Sequence, residues 1–339
     1  MPNPFRAALV AGALAASAFA ASALATSALA TSALAAPTPA APTAEEIDRA
    51  SYAGGTLPEG QSALTVKLQV LLDRAGIAPG VIDGYKGGMS ESALRAFERR
   101  EGLEVDGTLD EAVWSALGGP DAGPITKSYA ITAEDADVRG SELPRDYARL
   151  AELDRMGYVT VAEGLAEKFH MDVDFLRAMN PGATFAEGET IRVVETGEDV
   201  EGMVASITIS KATQRLTAKG QGGETLADYP VAIGSDETPS PSGTMEVTAV
   251  AMEPTYSYRP SENFQQGDNR EPLTLPPGPN GPVGLVWIDL SKPTYGIHGT
   301  PDPAKLFEEA SHGCVRMSNW DARELAEMVS RGATVEFVE

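Results

Sequence analysis

The sequence predicts a multidomain α+β protein: a small three-helix domain, a module with the order β-α-α-β, and a β-rich sandwich or barrel with one C-terminal helix. Apolar residues recur at helical spacing over residues 61–118. Two short strand-like runs enclose two helical segments within residues 147–197. Closely spaced alternating runs, separated by Gly/Pro turns, fill residues 203–339. A chain of 339 residues is long enough to build two or three separate cores.

The first 35 residues have the composition of a secretory signal. A single base, Arg6, precedes a run dominated by Ala and Leu that contains no acidic residue. Repeated Ser-Ala-Leu-Ala units supply A-x-A cleavage frames, and the frame that ends at Ala35 is the predicted one. We therefore expect a signal peptide at 1–35 and an exported mature chain, with an uncleaved anchor as the alternative. The Pro/Ala/Thr-rich residues 36–60 are predicted to be an extended linker that does not pack.

The charge balance excludes two classes of partner. The chain carries 49 acidic and 26 basic residues, which gives a formal net charge of -23. Nucleic acids and anionic membranes both select basic surfaces, so neither is an expected partner. After residue 35 no segment is long and apolar enough to span a bilayer, and no stable membrane span is expected once the signal is removed.

Residues 61–118 are predicted to fold as three short helices joined by two Asp-Gly turns, the first helix carrying a stripe of leucines. Ser90 is the predicted N-cap of the second helix. The capping-box sequence Thr108-Leu-Asp-Glu111 is predicted to begin the third. Residues 119–146, which open with Gly-Gly-Pro and become acidic, are predicted to be a linker.

The next segment, 147–197, is predicted to follow the order β-α-α-β. Its first strand is placed at Tyr158–Val161 and its second at Ile191–Val194, with two helices between them. His170 lies between those helices and has no Cys or His close by in sequence. It is therefore predicted to be a solvated residue at a helix end.

Residues 203–339 change to short β-runs, with one helix predicted over Ser318–Ser330 and a final strand after it. A coil of unusual length, 253–284, interrupts the strands. Loops this long inside compact domains are mostly functional lids or disordered. Because this coil immediately precedes the strands with the reactive residues, we predict that it forms a wall or lid of a substrate groove, with disorder as the alternative.

Rare reactive residues are concentrated near the C-terminus, where the chain has two of its three histidines, His298 and His312, and its only cysteine, Cys314. An exported chain with one cysteine cannot close an internal disulfide, which leaves an intermolecular bond or a free reactive thiol. A thiol has an ordinary pKa of about 8.5, and a neighbouring imidazole that lowers it by roughly 1.5 units would activate the sulfur. Gly313 permits a turn that returns Cys314 towards His298, and the amides of Gly313 and Cys314 are predicted to bind an oxyanion. This arrangement predicts acyl transfer.

These residues also carry a family resemblance. His298-Gly-Thr300 followed by Ser311-His-Gly-Cys-Val-Arg316 resembles the signature of the L,D-transpeptidases with a YkuD-type catalytic domain, and supporting features extend over 203–339. Upstream, residues 61–118 resemble the small three-helix peptidoglycan-binding domain, through Asp83-Gly84, Phe97 and Asp106-Gly107 among others.

The 147–197 module resembles a LysM module through Leu165-Ala-Glu-Lys-Phe169, Asn180-Pro181 and Gly188. It departs from that pattern at its start, because the Gly-Asp turn after the first strand is absent. Glycan binding and a role as a packed spacer are equally expected for this module.

The resemblance to L,D-transpeptidases implies a cysteine enzyme acting on peptidoglycan. It implies that Cys314 attacks the carbonyl between the third, diamino-acid residue and the terminal D-Ala of a tetrapeptide stem, which releases D-Ala and leaves a thioester. An amine acceptor then resolves the thioester, forming a 3→3 cross-link or a protein attachment. By match to the family motif, His298 is the base, oriented by the carbonyl of Gly299. His312 supports the oxyanion pocket with Gly313.

Three further residues are candidates for substrate binding. Arg316 is predicted to clamp a stem carboxylate, because a guanidinium binds a carboxylate through two parallel hydrogen bonds. The alternative is a surface ion pair with Glu308 or Glu309. Ser311 is a candidate through its place in the motif, and Tyr295 is expected to line the groove or simply to pack.

The implied partners are peptidoglycan stem peptides and, through the upstream modules, glycan strands; the implied location is the periplasm or cell wall. Neither a metal ion nor an organic cofactor is expected. Zinc held by His298, His312 and Cys314 is the metal alternative, and it is disfavoured because the His-Gly-Cys spacing is unusual for zinc. Two competing functions stay open: an L,D-carboxypeptidase or hydrolase that uses the same cysteine, and a wall-binding protein with an inactive catalytic domain.

Overall fold

The computed structural model describes residues 41–138, 142–235, 237–261, 264–311 and 313–339. The predicted signal peptide, 1–35, and the predicted site residue His312 lie outside these ranges. Within the ranges, no helix combines the length and the apolar character needed to cross a membrane.

Four helices form the N-terminal helical domain: α1 (Ala44–Arg49), α2 (Ala63–Arg74), α3 (Gly88–Glu101) and α4 (Glu111–Ala116). The last three are the helices that the sequence predicts. The predicted caps are wrong: α3 begins after Gly87, and Ser90 lies inside its first turn, where its hydroxyl accepts a hydrogen bond from Gln69. Helix α4 begins after Asp110, whose carboxylate accepts the amide of Val113 at 2.8 Å, so the chain passes Thr108 without starting a helix.

Helix α1 contradicts the prediction that residues 36–60 are an unpacked linker. Thr43 and Glu46 form a capping box at its first turn, and Ile47 is completely buried. Ile47 belongs to the same apolar cluster as Val66 on α2. The capping signal and one well-placed apolar side chain therefore order this segment despite the prolines before it.

A two-stranded antiparallel sheet joins β1 (Thr126–Ala130) to β2 (Thr190–Val194). Four helices lie between them in the chain: α5 (Ala133–Ala136), α6 (Tyr147–Leu150), α7 (Val161–Lys168) and α8 (Val173–Met179). The first strand therefore lies at 126–130, inside the segment 119–146 that is predicted to be a linker.

The strand predicted at Tyr158–Val161 is absent. Thr160 is the N-cap of α7, and its side chain and that of Glu163 form a capping box with each other's backbone. A β-branched run favours a strand, but the Thr-x-x-Glu sequence satisfies two helical amides at once, and here it decides the structure.

Ten strands follow, and their bounds are β3 (Val204–Ser210), β4 (Arg215–Lys219), β5 (Thr225–Pro230), β6 (Gly243–Met252), β7 (Tyr256–Tyr258), β8 (Leu273–Leu275), β9 (Val286–Leu290), β10 (Gly296–Thr300), β11 (Val315–Ser318) and β12 (Val329–Val338). Eight of them form one mixed sheet in the order β11-β10-β9-β6-β12-β3-β4-β5. Bridges from Ala232 to Arg316 and from Gly234 to Ser311 connect the continuation of β5 to the β11 edge, so the sheet is a nearly closed barrel. The α+β class, with a β-rich C-terminal domain, is confirmed.

One helix, α9 (Asn319–Met328), packs on this sheet and buries Ala322 and Leu325 in its core. Ser318 caps it as predicted, accepting the amide of Asp321 at 3.0 Å. The helix is shorter than the predicted span, because β12 begins at Val329 and takes the remaining residues into the sheet.

The long coil 253–284 contains the antiparallel hairpin of β7 and β8, although residues 262–263 are not described. Tyr258 and Leu275 of this hairpin are completely buried against Leu150 and Met156 from the segment before α7. The described part of the coil is therefore an ordered hairpin with its own small core, as the prediction of a wall or lid requires.

The end of α2 docks the helical domain on the edge of the barrel. Ala78 donates its amide to the carbonyl of Asp228 on β5 at 2.8 Å, and the Asp228 amide donates to Gly76 at 2.9 Å. Arg215 and Asp228 form a buried ion pair beside this contact, and Arg215 also donates to Ala78. Backbone pairing thus covers an edge strand that would otherwise expose unpaired groups.

Candidate active site

The parallel pairing of β10 and β11 brings the predicted residues together. His298 lies opposite Arg316 in the register. Because side chains alternate along a strand, Cys314, two residues before Arg316, faces the same side as both of them. Trp287 lies opposite His298 on the other neighbour, β9, and its ring stacks on the imidazole with centroids 5.6 Å apart. One sheet face therefore carries the thiol, the imidazole and the guanidinium.

His298 is buried, and its Nδ1 lies 2.7 Å from the carbonyl oxygen of Gly299. A carbonyl can only accept, so Nδ1 carries the proton and Nε2 keeps its lone pair. Burial lowers the pKa of His298 to about 4, and the positive charge of Arg316 acts in the same direction; the hydrogen bond to Gly299 opposes both. The imidazole is thus neutral at pH 7, with the tautomer that a general base needs.

Cys314 has a protonated thiol in this environment. Burial raises its pKa above the ordinary value, although the Gly296 amide and the charge of Arg316 act to lower it. The sequence argument expects the opposite, a pKa lowered by an imidazole. The difference arises because His298 is uncharged and supplies no positive field. The sulfur lies 3.6 Å from the carbonyl oxygen of Thr294, to which the thiol donates.

Thr294 has a strained backbone beside the nucleophile. Its φ is 72°, a left-handed value that a β-branched residue rarely adopts. This conformation turns its carbonyl towards Cys314 at the end of the β9–β10 connection. A β-branched residue held in such a conformation is typical of functional sites. Sequence reasoning misses Thr294, because no residue pattern marks strain at a threonine.

The turn that carries Cys314 is fixed by hydrogen bonds of Ser311 and Ser240. Ser311 is buried; its hydroxyl accepts the Gly313 amide at 3.1 Å and donates to the Cys314 carbonyl. Ser240 donates to the carbonyl of Gly313 at 2.9 Å. Gly313 has φ 112°, and a Cβ there would meet Tyr295 at 3.0 Å, so glycine is required for both backbone and space.

These contacts change two predicted roles. The Gly313 amide is engaged by Ser311, so it is not free to bind an oxyanion as predicted. The hydroxyl of Ser311, a predicted substrate contact, is used within the turn. Tyr295 packs against Gly313, and the ammonium of Lys292 lies 4.7 Å from the centre of its ring. These contacts therefore support the alternative in which Tyr295 packs against its neighbours.

Arg316 is half-buried at the site, and its side chain forms no ion pair with Glu308 or Glu309 among the described residues. Glu309 pairs with Lys305 at 3.3 Å. The backbone of Arg316 is held by two hydrogen bonds to Ala232, each 2.9 Å long. These hydrogen bonds fix the backbone of Arg316 in the sheet. The positive charge of its guanidinium acts to lower the pKa of both Cys314 and His298.

Asn319, the first residue of α9, lies completely buried behind the catalytic strand. Its Oδ1 accepts the Leu285 amide at 3.0 Å, and its Nδ2 donates to the Pro279 carbonyl at 3.2 Å. A Cβ on Gly299 would lie 2.1 Å from this Oδ1, so the asparagine packs directly on the backbone that orients His298. A polar residue just after the Cys-Val-Arg motif is the sequence signal that could have identified it.

A second histidine lies away from this face, at the junction of α2, the β1–β2 module and α9. His170, predicted to be solvated, is largely buried; its Nδ1 lies 3.2 Å from Asp73, and its ring stacks on Trp320 at 5.1 Å. Burial alone would lower the pKa of His170, but Asp73, Asp321 and Glu324 outweigh it and raise the pKa. The prediction fails because the partners are distant in sequence.

No group of three or more His, Cys, Asp or Glu side chains is arranged to hold a metal ion within the part of the chain that the structure describes. The zinc alternative depends on His312, which that part does not include.

Comparison with known proteins gives two family matches. A model of the L,D-transpeptidase catalytic domain matches residues 205–337, and a model of a peptidoglycan-binding domain matches residues 61–117. The chain is similar to the L,D-transpeptidase YkuD of Bacillus subtilis, with 30% identity over 173 residues, 50% of this chain and 89% of that protein. It is also similar to the L,D-transpeptidase YbiS of Escherichia coli, with 28% identity over 210 residues, 58% of this chain and 68% of that protein. Among solved structures, an L,D-transpeptidase from Xylanimonas cellulosilytica aligns over 90% of this chain and 100% of its own, with 16% identity and a TM-score of 0.36.

Proposed function

We propose, because the chain belongs to the family of YkuD-type L,D-transpeptidases, that it is an exported cysteine acyltransferase acting on the tetrapeptide stems of peptidoglycan. The observation that carries the proposal is the β10–β11 pairing. It sets a neutral imidazole with an unprotonated Nε2, the single thiol and an arginine on one sheet face. A base and a nucleophile are parts that acyl transfer requires, and the arginine is suited to bind a carboxylate of the stem peptide.

In the acylation step, Nε2 of His298 takes the proton of Cys314 while the sulfur attacks the carbonyl of the third stem residue. A bond forms between sulfur and carbon, and the carbonyl oxygen becomes an oxyanion. When this intermediate collapses, the bond between carbon and the D-Ala nitrogen breaks. The imidazolium gives its proton to the leaving amine, so free D-Ala departs and a thioester remains.

In the second step, an amine of another stem or of a protein attacks the thioester. His298 accepts a proton from that amine, a new amide bond forms, and the thiol is regenerated as the bond between carbon and sulfur breaks. Water as the acceptor gives the hydrolase alternative. The acceptor is the point at which transpeptidase and carboxypeptidase differ.

The electrostatics favour proton transfer during attack over a resting ion pair. The thiol and the imidazole are both neutral at pH 7, because burial raises the pKa of Cys314 and lowers that of His298. Arg316 supplies the positive charge that favours the thiolate once it forms. The same guanidinium is suited to a carboxylate of the bound stem.

Covalent labelling tests the nucleophile. Incubation with a carbapenem should give one adduct by intact-protein mass, and Cys314→Ala should give none. An unchanged adduct in Cys314→Ala would remove Cys314 as the nucleophile, and no adduct in the native protein would favour the wall-binding protein with an inactive domain. Activity that disappears with a chelator and returns with Zn²⁺ would favour the metal alternative.

Product analysis tests the acceptor. With a disaccharide-tetrapeptide substrate, mass spectrometry should show cross-linked dimer together with free D-Ala. Tripeptide product without dimer would establish the hydrolase instead.

The upstream modules are proposed to hold the enzyme on the wall, consistent with the match of residues 61–117 to a peptidoglycan-binding domain. Glycan binding by the β1–β2 module, through its LysM-like pattern, belongs to the same proposal. Sedimentation of the full-length Cys314→Ala protein with isolated sacculi tests this directly. Protein that stays in the supernatant at low and moderate salt would contradict it.

A further inference from the structure

Glu167 is a half-buried residue that comes from outside the matched catalytic region 205–337. It lies on α7, in the module built on β1 and β2, and its side chain points into the interface with the barrel. Its Oε1 accepts a hydrogen bond from Asn319 Nδ2 at 2.7 Å, and its Oε2 accepts one from the Tyr158 hydroxyl at 2.8 Å. Both carboxylate oxygens are thus engaged, one of them by the catalytic domain.

Asn319 connects Glu167 with His298 through a series of contacts. Its amide nitrogen is shared between Glu167 and the Pro279 carbonyl, and its oxygen holds the Leu285 amide. The same oxygen packs on the backbone of Gly299, where no Cβ could fit. The Gly299 carbonyl in turn accepts the proton of His298 Nδ1. Consecutive contacts therefore connect α7 with the imidazole.

The module is fixed at this interface by further contacts. Asn280 donates to the carboxylate of Glu163 on α7 at 2.7 Å and to the Gly157 carbonyl at 3.0 Å. Met156 donates its amide to the Pro277 carbonyl at 2.9 Å. Helix α7 is therefore held against the 276–285 segment from several points, and Glu167 keeps a defined position relative to Asn319.

We propose that Glu167 is a positioning residue for the reaction: it fixes the side-chain amide of Asn319, and Asn319 fixes the Gly299 carbonyl that sets the tautomer and orientation of His298. The β1–β2 module then contributes a positioning residue to the active site, in addition to any role in binding the wall. This inference rests on the proposed use of His298 as base.

Glu167 is needed because each amide hydrogen of the Asn319 side chain requires a hydrogen-bond acceptor. A buried amide group with one hydrogen left unsatisfied costs free energy and can rotate to find another acceptor. Rotation of Asn319 would move its oxygen from Leu285 and release the Gly299 backbone. A displacement of about 1 Å at a catalytic group can reduce a rate by roughly 100-fold.

Burial raises the pKa of Glu167 to about 7, with nearby Glu163 adding to the shift and Asn319, Tyr158 and His170 opposing it. A neutral side chain of the same length is therefore tolerated at this position. Glu167→Gln and Glu167→Met form a matched pair, because both are uncharged and similar in size. Only glutamine offers an oxygen to Asn319.

The test measures carbapenem acylation by stopped flow in the full-length protein and separates the maximal acylation rate from the dissociation constant of the initial complex. We expect Glu167→Met to lower the maximal rate about 10- to 100-fold with little change in the dissociation constant, and Glu167→Gln to stay within about threefold of the native protein. Tyr158→Phe, which keeps the bond to Asn319, should also stay within about threefold. Asp174→Ala, which removes an exposed carboxylate from the neighbouring helix, is the control for the module.

A readout independent of turnover is the ¹⁵N spectrum of the imidazoles, which contains only three histidines. The native protein and Glu167→Gln should show the Nδ1–H tautomer for His298, and Glu167→Met a mixture of tautomers or a shifted signal. Equal acylation rates in the Met and Gln variants, or an unchanged His298 spectrum in Glu167→Met, would overturn the inference. If Met prevents folding, Glu167→Ala takes its place with the same readouts. A native protein that fails to acylate would instead contradict the proposed function, while the spectra would still test the positioning.

Discussion

The two described histidines show how one protein shifts the pKa of the same residue type in opposite directions. His298 is buried and His170 is largely buried, both use Nδ1 in a hydrogen bond, and both stack on a tryptophan. The partner of His298 is a neutral carbonyl, and burial lowers its pKa to about 4. The partner of His170 is the carboxylate of Asp73, and the surrounding acids raise its pKa in spite of burial.

The difference teaches that the partner of Nδ1, more than burial, decides what each histidine can do. A carbonyl fixes the tautomer without stabilising a charge, so His298 stays an unprotonated base. A carboxylate stabilises the imidazolium, so His170 acts as a charged contact between α2, the module that carries α7, and α9. The proposed base and the histidine at the domain junction therefore have pKa values shifted in opposite directions.

The largest expected effect is the difference in acylation rate between variants of His298 and His170. His298→Ala should lower the carbapenem acylation rate by at least about 100-fold, because general-base assistance is lost. His170→Ala should stay within about threefold, because no part of His170 reaches the catalytic face. Rates measured on folded protein, verified by circular dichroism, check this. Equal losses in the two variants would mean that the junction histidine also serves the reaction.

The next effect concerns stability. Asp73→Asn removes the carboxylate that faces His170 and should destabilise the protein by about 3 kcal/mol at pH 6, as expected when one partner of a buried ion pair is removed. Urea unfolding measures it. Asp174→Asn, which removes an exposed carboxylate 3.5 Å from Arg177, is the matched control and should change stability by less than about 1 kcal/mol. If both variants unfold alike, His170 is not charged in the folded protein.

A third prediction uses pH. Burial raises the pKa of Asp321 to about 7, with Asp73 and Glu324 adding to the shift and His170 and Ser318 opposing it. A carboxyl group with a raised pKa binds its proton more tightly in the folded state, so the stability it contributes is complete below about pH 4 and is lost as pH rises to about 7. The raised pKa of His170 changes the free energy of unfolding in the same direction. The stability that protonated His170 contributes is complete below about pH 6.5 and is lost at higher pH.

The free energy of unfolding should therefore fall by at least about 2 kcal/mol between pH 5 and pH 8. Glu167, whose pKa burial also raises to about 7, contributes with the same sign, so Asp321→Asn should reduce the dependence and leave the part that Glu167 and His170 contribute. The acylation rate should behave differently. Its acid limb should follow His298, near pH 4, and stay level across the range in which stability changes. An acid limb near pH 6.5 would show that His298 is not held as a buried neutral base.

Sequence reasoning predicted that His298 and Cys314 meet because their segments are close in the chain. A His-Gly-Thr strand and a Ser-His-Gly-Cys turn can meet only by pairing side by side, and β10 and β11 do so. It missed the partners that decide the protonation states. Asp73, His170 and Trp320 are far apart in sequence, as are Glu167 and Asn319, and no local periodicity connects them. The strand placed at 158–161 failed for a local reason, because the Thr160–Glu163 capping box competes with a β-branched run.

The smallest expected effect concerns the strained backbone of Thr294, next to Cys314. Thr294 holds a left-handed φ of 72° at a cost of about 1–2 kcal/mol, and its carbonyl accepts the Cys314 thiol. Thr294→Gly removes the strain but adds freedom to the unfolded chain, which costs about 0.4–1 kcal/mol. The net gain in stability should therefore lie between zero and about 1.6 kcal/mol, measured by urea unfolding. Because glycine also loosens the carbonyl that orients the sulfur, acylation should become a few-fold slower while the protein becomes slightly more stable. A variant that loses stability would show that Thr294 is held in place by its side chain, and that the catalytic region carries less strain than its backbone indicates.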